Sequence, residues 1–295
     1  QTVQFSKPWV EKFASKNSDG GNAEPSGLGS LAANSLKKMT EITVAKEKGS
    51  DDTVDNLGCI LPALTDLSSV FRALEVLDLS GNRMNSSGTN SLADFLEHRA
   101  CHVVTLKCER ANLSDGLGAR LLRVIKENNS LRAIYLRHNC MKHKSFTALG
   151  VGLSQNGGLR EVIIGSNNLY GVGLEALSQG LAANKGLRRL DVSWNLLGRH
   201  EDDAGSDLDA PRRALKSLGM ALAVNKSLLY LSMNNCSLAA GLCTVFGEGI
   251  AFNQTIYGLG FQGNKGTTDS KGNIRMDLVP EKVLGLEPEP ERGSA

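Results

Sequence analysis

The sequence predicts an α/β solenoid: a curved parallel sheet inside, helices outside, and about seven to eight repeats stacked in one row. Three observations predict it. A phrase of apolar residue, two free positions, apolar, one free position, apolar, two free positions and usually Asn starts at Leu74, Val103, Leu131, Leu159, Leu187, Leu228 and Ile256. Its spacings are 29, 28, 28, 28, 41 and 28 residues. Between phrases the apolar period changes from that of a strand to that of a helix.

The strands come first. Leu131, Ile134 and Leu136 point one way, and Ala133, Tyr135 and Arg137 the other. The closing polar position holds Asn82, Asn139, Asn167, Asn195 and Asn264, with Cys236 and Ala111 as departures. A stacked Asn can donate and accept where the chain turns off the strand.

The helices follow. Leu121, Leu149, Leu177, Leu218 and Phe246 stand ten residues before the phrase, and Ile125, Leu153, Leu181, Leu222 and Ile250 six before. These columns lie one helical turn apart on one face. Three residues before the phrase stand Asn128, Asn156, Asn184, Asn225 and Asn253. This column reads as a helix stop in the left-handed conformation that Asn tolerates. Neither element buries its apolar face alone, so the repeats must stack.

The phrases LRAIYLRHNCM, LREVIIGSNNL and LRRLDVSWNLL resemble the leucine-rich repeats of the ribonuclease-inhibitor class, over roughly Leu74 to Asn264. The resemblance implies this fold and no single function, because cytosolic inhibitors, GTPase-activating proteins, actin regulators and ciliary scaffolds share it.

The expected organisation is an N-terminal segment at 1–27, an irregular repeat or cap at 28–73, repeats over 74–264, and an extension and tail at 265–295. In the first segment Ser6 would cap a short helix carrying Trp9 and Phe13 on one face, followed by a linker-like stretch. This helix either caps the solenoid or docks in trans. Met39, Ile42 and Val44 read as a degraded earlier strand. Beyond the last repeat, Gly263 to Asn273 is Gly- and Thr-rich, and Leu286 to Ala295 reads as an extended tail. The exposed flank needs a cover, either Ile274 to Leu286 folding back or a partner.

The 41-residue spacing marks a 13-residue insertion around Gly198 to Arg213, carrying Glu201, Asp202, Asp203, Asp207 and Asp209. It leaves where strand passes to helix, hence on one rim. Its spacing lacks the alternating ligands and the Gly of a calcium loop. A solvated loop that touches a partner is expected.

Catalytic signatures are missing: there is no phosphate loop, HExxH or nucleophile elbow. His98, His102, His138, His143 and His200 make no ligand-spaced pair with Cys or carboxylate. No cofactor, metal or small-molecule substrate is expected, and no enzyme activity. Net charge +2 gives no specific nucleic-acid signal, and no run of 18 apolar residues spans a membrane. The six cysteines lack framework spacing and read as reduced, buried thiols of a cytosol-like compartment. A disulfide or metal framework is the alternative.

Binding residues are sought on the open inner curve. The outward strand positions gather Lys107, Tyr135, Arg137, His138, Ile163, Arg189, Asp191, Trp194 and Tyr230. Tyr, Trp and Arg are frequent interface anchors. The leading expectation is a non-enzymatic protein–protein interaction scaffold in a larger intracellular assembly. Its setting would be cytoplasmic, with the cytoskeleton or cilium favoured on family breadth and an organelle left open. The alternative is a regulator of catalysis in trans, similar to the Ran GTPase-activating proteins. The start at Gln1 fits either processing or truncation.

Overall fold

The computed structural model describes residues 2–5, 41–44, 74–199, 209–268 and 274–276. Nine strands form one sheet in sequence order. They are β1 (Thr2–Phe5), β2 (Glu41–Val44), β3 (Val76–Asp78), β4 (Thr105–Lys107), β5 (Ala133–Tyr135), β6 (Glu161–Ile163), β7 (Arg189–Asp191), β8 (Tyr230–Ser232) and β9 (Gly258–Gly260). Every neighbouring pair is parallel. Helices α1 (Ser86–Glu97), α2 (Asp115–Arg123), α3 (His143–Gln155), α4 (Gly171–Ala183), α5 (Ala210–Val224) and α6 (Ala240–Ile250) follow β3 to β8 in turn. The chain folds as a leucine-rich-repeat solenoid.

The register explains why the stack holds. Leu77, Leu106, Ile134, Val162, Leu190, Leu231 and Leu259 are successive partners across the sheet. All but Leu259 are buried, and they meet the helix columns Leu121, Leu149, Leu177, Leu218 and Phe246 in one core. The insertion does not disturb this order. β7 and β8 pair in full although 41 residues separate Arg189 from Tyr230. The extra chain lies between β7 and α5; of its carboxylates only Asp209, just before α5, falls within the described residues.

Two asparagine ladders satisfy the turns. In the first, Asn167 Nδ2 donates to the carbonyls of Leu136, Ile164 and Gly165, and its Oδ1 accepts from Met141 N–H. Asn139 does the same with the carbonyls of Cys108, Leu136 and Arg137 and the N–H groups of Ala111 and Leu113. Cys236 breaks the series: its thiol donates to the Val192 carbonyl, but no side-chain oxygen accepts there.

The second ladder corrects an expectation. The helix-stop asparagines are extended, not left-handed: Asn156, Asn184 and Asn225 have φ of −93°, −71° and −69°. They end helices by hydrogen bonding instead. Asn184 Nδ2 donates to the carbonyls of Leu153 and Asn156 in the preceding repeat, while its Oδ1 accepts from Gly186 and Leu187 N–H. Asn156, Asn225 and Asn253 repeat the arrangement. Left-handed residues stand just before the first ladder, at Arg110, His138, Ser166, Trp194 and Asn235 with Gly81 and Gly263 in the same column, and also at Asn112 and Ser237, just after the departures Ala111 and Cys236.

At the ends, β2 coincides with the degraded strand expected around Ile42. β1 was not expected, because four residues of TVQF carry too little alternation to signal a strand. The helix expected after Ser6 and the tail from Leu286 lie outside the described residues. The Gly- and Thr-rich stretch contains β10 (Gly266–Thr268), which pairs antiparallel with β11 (Ile274–Met276). β11 lies against α6, so the chain itself provides a cover at the last helix.

Candidate functional site

The outward strand positions define the inner face. Asp78, Lys107, Tyr135, Ile163, Asp191, Ser232 and Gly260 are aligned partners along it. Glu161, Arg189 and Tyr230 form a second aligned row, one pleat earlier. Adjacent strands stand about 4.8 Å apart, so long side chains reach across one or two repeats.

They do reach. The Arg137 guanidinium passes over repeat four and pairs with the Asp191 carboxylate of repeat five. Gly165 lies between them: a Cβ there would stand 3.7 Å from both Arg137 Nε and Asp191 Oδ1, and only 2.9 Å from the Ser193 carbonyl. Asp191 Oδ1 also accepts from Ser193 N–H at 2.9 Å. Beyond it the Ser193 and Ser232 hydroxyls meet at 2.8 Å, and Asn234 donates to Ser232. The Tyr135 hydroxyl donates to Glu161 Oε2 at 3.1 Å, and Glu161 Oε1 faces Arg189 Nε at 3.5 Å. Burial, then the Glu161 charge and hydrogen bond, hold the Tyr135 phenol above its ordinary pKa, so it stays a donor. Lys107 pairs with Asp78 at 3.7 Å.

The expected display residues therefore divide. Ile163 is 2% and Asp191 4% exposed. They face the inner curve, yet their neighbours cover them, which corrects the reading of both as open positions. Lys107, Tyr135 and Arg137 are half-buried within ion pairs and hydrogen bonds. Trp194 is 63% exposed, and His138, Arg189 and Tyr230 are exposed as well. Trp194 takes its place in the left-handed column at φ 61°. That conformation belongs to the turn, since every other member of the column shares it; the indole is this repeat's own. Of the insertion's carboxylates, Glu201, Asp202, Asp203 and Asp207 lie outside the described residues.

Sequence reasoning missed one aromatic. Tyr257 is exposed and packs edge-on against Tyr230, ring centroids 4.6 Å apart. Its position in the phrase is the one held by Arg in three earlier repeats, so a column comparison could have found it. Among the described residues no group of three or more His, Cys, Asp or Glu could hold a metal ion. No described helix is long and apolar enough to cross a membrane.

No protein-family model matches the sequence. NACHT, LRR and PYD domains-containing protein 14 of Mus musculus is 30% identical over 128 residues, covering 42% of this chain and 13% of that protein. The chain is a leucine-rich-repeat protein. It spans 13% of the length of the curated relative it matches. Among solved structures, leiomodin-1 actin-binding site 2 superposes with a TM-score of 0.44 at 15% identity, over 56% of this chain and 88% of that one. The tropomodulin C-terminal domain of Caenorhabditis elegans gives 0.43 at 14% identity, over 56% and 92%. The TLR13–ssRNA13 complex gives 0.44 at 13%, over 79% of this leucine-rich-repeat chain and 30% of that one.

Proposed function

We propose that this leucine-rich-repeat protein is a non-enzymatic interaction scaffold of the ribonuclease-inhibitor-like subclass. It would hold a protein partner along the inner face of repeats three to six. Helices of 9 to 15 residues between the strands support the subclass. One observation carries the functional reading. The inner-face charges Arg137 and Asp191, and Glu161 and Arg189, are paired with one another across repeats, while Trp194 stands 63% exposed on the same face. A pre-ordered polar floor with an exposed aromatic costs little side-chain entropy on binding, which is how interface anchors gain affinity. The setting proposed is a larger intracellular assembly of the cytoskeletal or ciliary kind, on the breadth of partners this repeat class serves.

The test begins with affinity purification at native expression and mass spectrometry to name the partner. The purified partner is then titrated against the protein and against a double variant, Tyr135→Ala with Trp194→Ala. The expected loss is about 2–4 kcal/mol of binding, with melting little changed. Undiminished affinity in a folded double variant would remove the inner face as the site.

A further inference from the structure

The rim where helix passes to strand carries a second ordered row. The second residue of the phrase is Arg132, Arg160 and Arg188 in repeats three to five. Each guanidinium is tied down through Nη1 on main-chain carbonyls. Arg132 donates to Asn129, Ser130 and Leu131, Arg160 to Gly157, Leu159 and Gly186, and Arg188 to Ser227. Small residues of the following repeat leave room. A Cβ on Gly158 would stand 2.8 Å from Arg132 Nη1, and one on Gly186 2.7 Å from Arg160 Nη1. All three arginines are exposed, and none has a carboxylate partner among the described residues. Nε and Nη2 of each make no hydrogen bond there, so the outer edge of each fork is open. The exposed Lys185 and Lys226 lie in the same turns. The acids beside the arginines are engaged, Glu127 with Lys126 and Glu161 with Arg189 and Tyr135, and the exposed Glu75 stands in the same column two repeats before Arg132. The row ends on the exposed Tyr257, whose ring packs against Tyr230 at the edge of the inner face.

We propose that this rim is a docking ridge for an acidic helix of a partner protein, a surface separate from the inner face. Charge complementarity sets the sign of the partner, since seated guanidinium forks bind carboxylates at two points. Spacing sets its shape. The forks recur once per repeat, about 4.8 Å apart at the strands. Carboxylates on one helix face recur once per turn, about 5.4 Å apart. An extended peptide presents alternate side chains about 6.7 Å apart, a poorer match. A single-stranded nucleic acid needs aromatic platforms among the cations, whereas here both tyrosines stand at one end. The helix would lie across the repeats, with acidic residues at i, i+4, i+7 and i+11 and an apolar residue against Tyr257.

The probe is a fluorescent helical peptide of about 15 residues, long enough to cross four repeats, with glutamates in that stripe. Its comparators are the same composition with the glutamates scattered around the helix, and a single-stranded oligonucleotide of equal charge. Anisotropy titrations are expected to show tighter binding of the striped peptide than of either comparator, falling as salt rises. Arg132→Gln, Arg160→Gln and Arg188→Gln together should weaken it at least about tenfold. Lys185→Glu with Lys226→Glu, which removes no described hydrogen bond or ion pair, should also weaken it in a protein of unchanged melting. Gly158→Ala, which crowds Arg132 while keeping every charge, should weaken it several-fold. Equal binding of the scattered peptide, tighter binding of the oligonucleotide, or unchanged binding by the lysine variant would each overturn the proposal. The inner-face variant Tyr135→Ala with Trp194→Ala should keep the peptide. Losing it there would overturn the separation of the two surfaces, while leaving the inner-face reading to stand on its own partner titration.

Discussion

The Arg137 guanidinium crosses an entire repeat to reach the Asp191 carboxylate, over the space that Gly165 leaves empty. The pair links repeat three to repeat five without involving a side chain of repeat four. Asp191 is almost fully covered, whereas Arg137 is half open. Removing the cation leaves a covered carboxylate with the Ser193 N–H as its one hydrogen-bond donor among the described residues. Arg137→Ala is therefore expected to cost about 1–2 kcal/mol, the arginine's exposure keeping the loss below that of a fully buried pair. A double-mutant cycle with Asp191→Ala, read by urea unfolding, should return a coupling of about 0.5–1.5 kcal/mol. Additive effects would show that the pair does not hold the repeats together.

The asparagine ladders make opposite predictions at two positions. Asn184 is buried with four hydrogen bonds. Asn184→Ala strands two carbonyls and two N–H groups, and should cost about 1–3 kcal/mol in chemical denaturation. Cys236→Asn should do the reverse. It places an amide of similar volume where the first ladder is broken and should stabilise by about 0.5–1.5 kcal/mol. A destabilised Cys236→Asn protein would mean that the turn there has adapted to the thiol.

Asp115 carries the pH dependence. It sits in the first turn of α2 and caps the next helix across the repeat boundary. Its carboxylate accepts from Lys142, Lys144 and Ser145 N–H and from the Ser145 hydroxyl. Partial burial works against the charge, yet these donors overcome it and hold the pKa below the ordinary value. A carboxylate lowered in the folded state contributes stability that is full above its unfolded pKa, and that is lost as pH falls through the folded one. The protein should therefore lose this contribution as pH falls through and below the ordinary carboxylate range, under about pH 4. In Asp115→Asn the slope of stability against pH over that range should be shallower. An identical slope would assign the acid sensitivity to other groups.

The five cysteines among the described residues should react in two classes, because Cys140 is exposed where a buried thiol was expected; Cys59 lies outside the described residues. Cys101, Cys108, Cys236 and Cys243 are buried free thiols, and Cys140 is an exposed one. Burial pushes Cys236 up to about 12 and raises Cys101 and Cys108 as well. A thiolate reagent at neutral pH should label Cys140 within minutes, and the four buried thiols only once the protein unfolds. Native labelling of Cys236 at the Cys140 rate would show that the ladder opens there.

Core packing gives the last check. Leu177 is fully buried on α4, within the helix column read from sequence. Leu177→Ala should cost about 2–5 kcal/mol by denaturant titration. A cost under half that range would show that neighbouring repeats collapse into the cavity.

Much of the architecture was legible in the chain. The seven phrases predict strands, and each of β3 to β9 begins two residues after its phrase start. The two helix columns predict the core, and their leucines are buried. Strong periodicity survives because each repeat states it again. Single short strands do not repeat themselves, so β1 was missed. β10 and β11 were missed because their contribution lies in pairing with each other. The stop asparagines were found by position and misread in mechanism, since the sequence shows an Asn recurring but not the carbonyl of the previous repeat that it reaches.

By itself, the sequence determined the repeat, its register and which faces turn inward, because those follow from side-chain period within one repeat. Tertiary structure alone decided what the outward residues do. Whether Ile163 and Asp191 are displayed or covered depends on what lies 28 and 54 residues away in the chain and about 5–10 Å away in space. Arg137 is tied to Asp191 because Gly165 happens to lie between them. Among the described residues Arg132 and Arg160 have no acidic partner, because the repeats beside them offer glycine and carbonyl oxygen instead. Local period is written in neighbouring letters, whereas pairing across the stack depends on which side chains the register brings opposite one another.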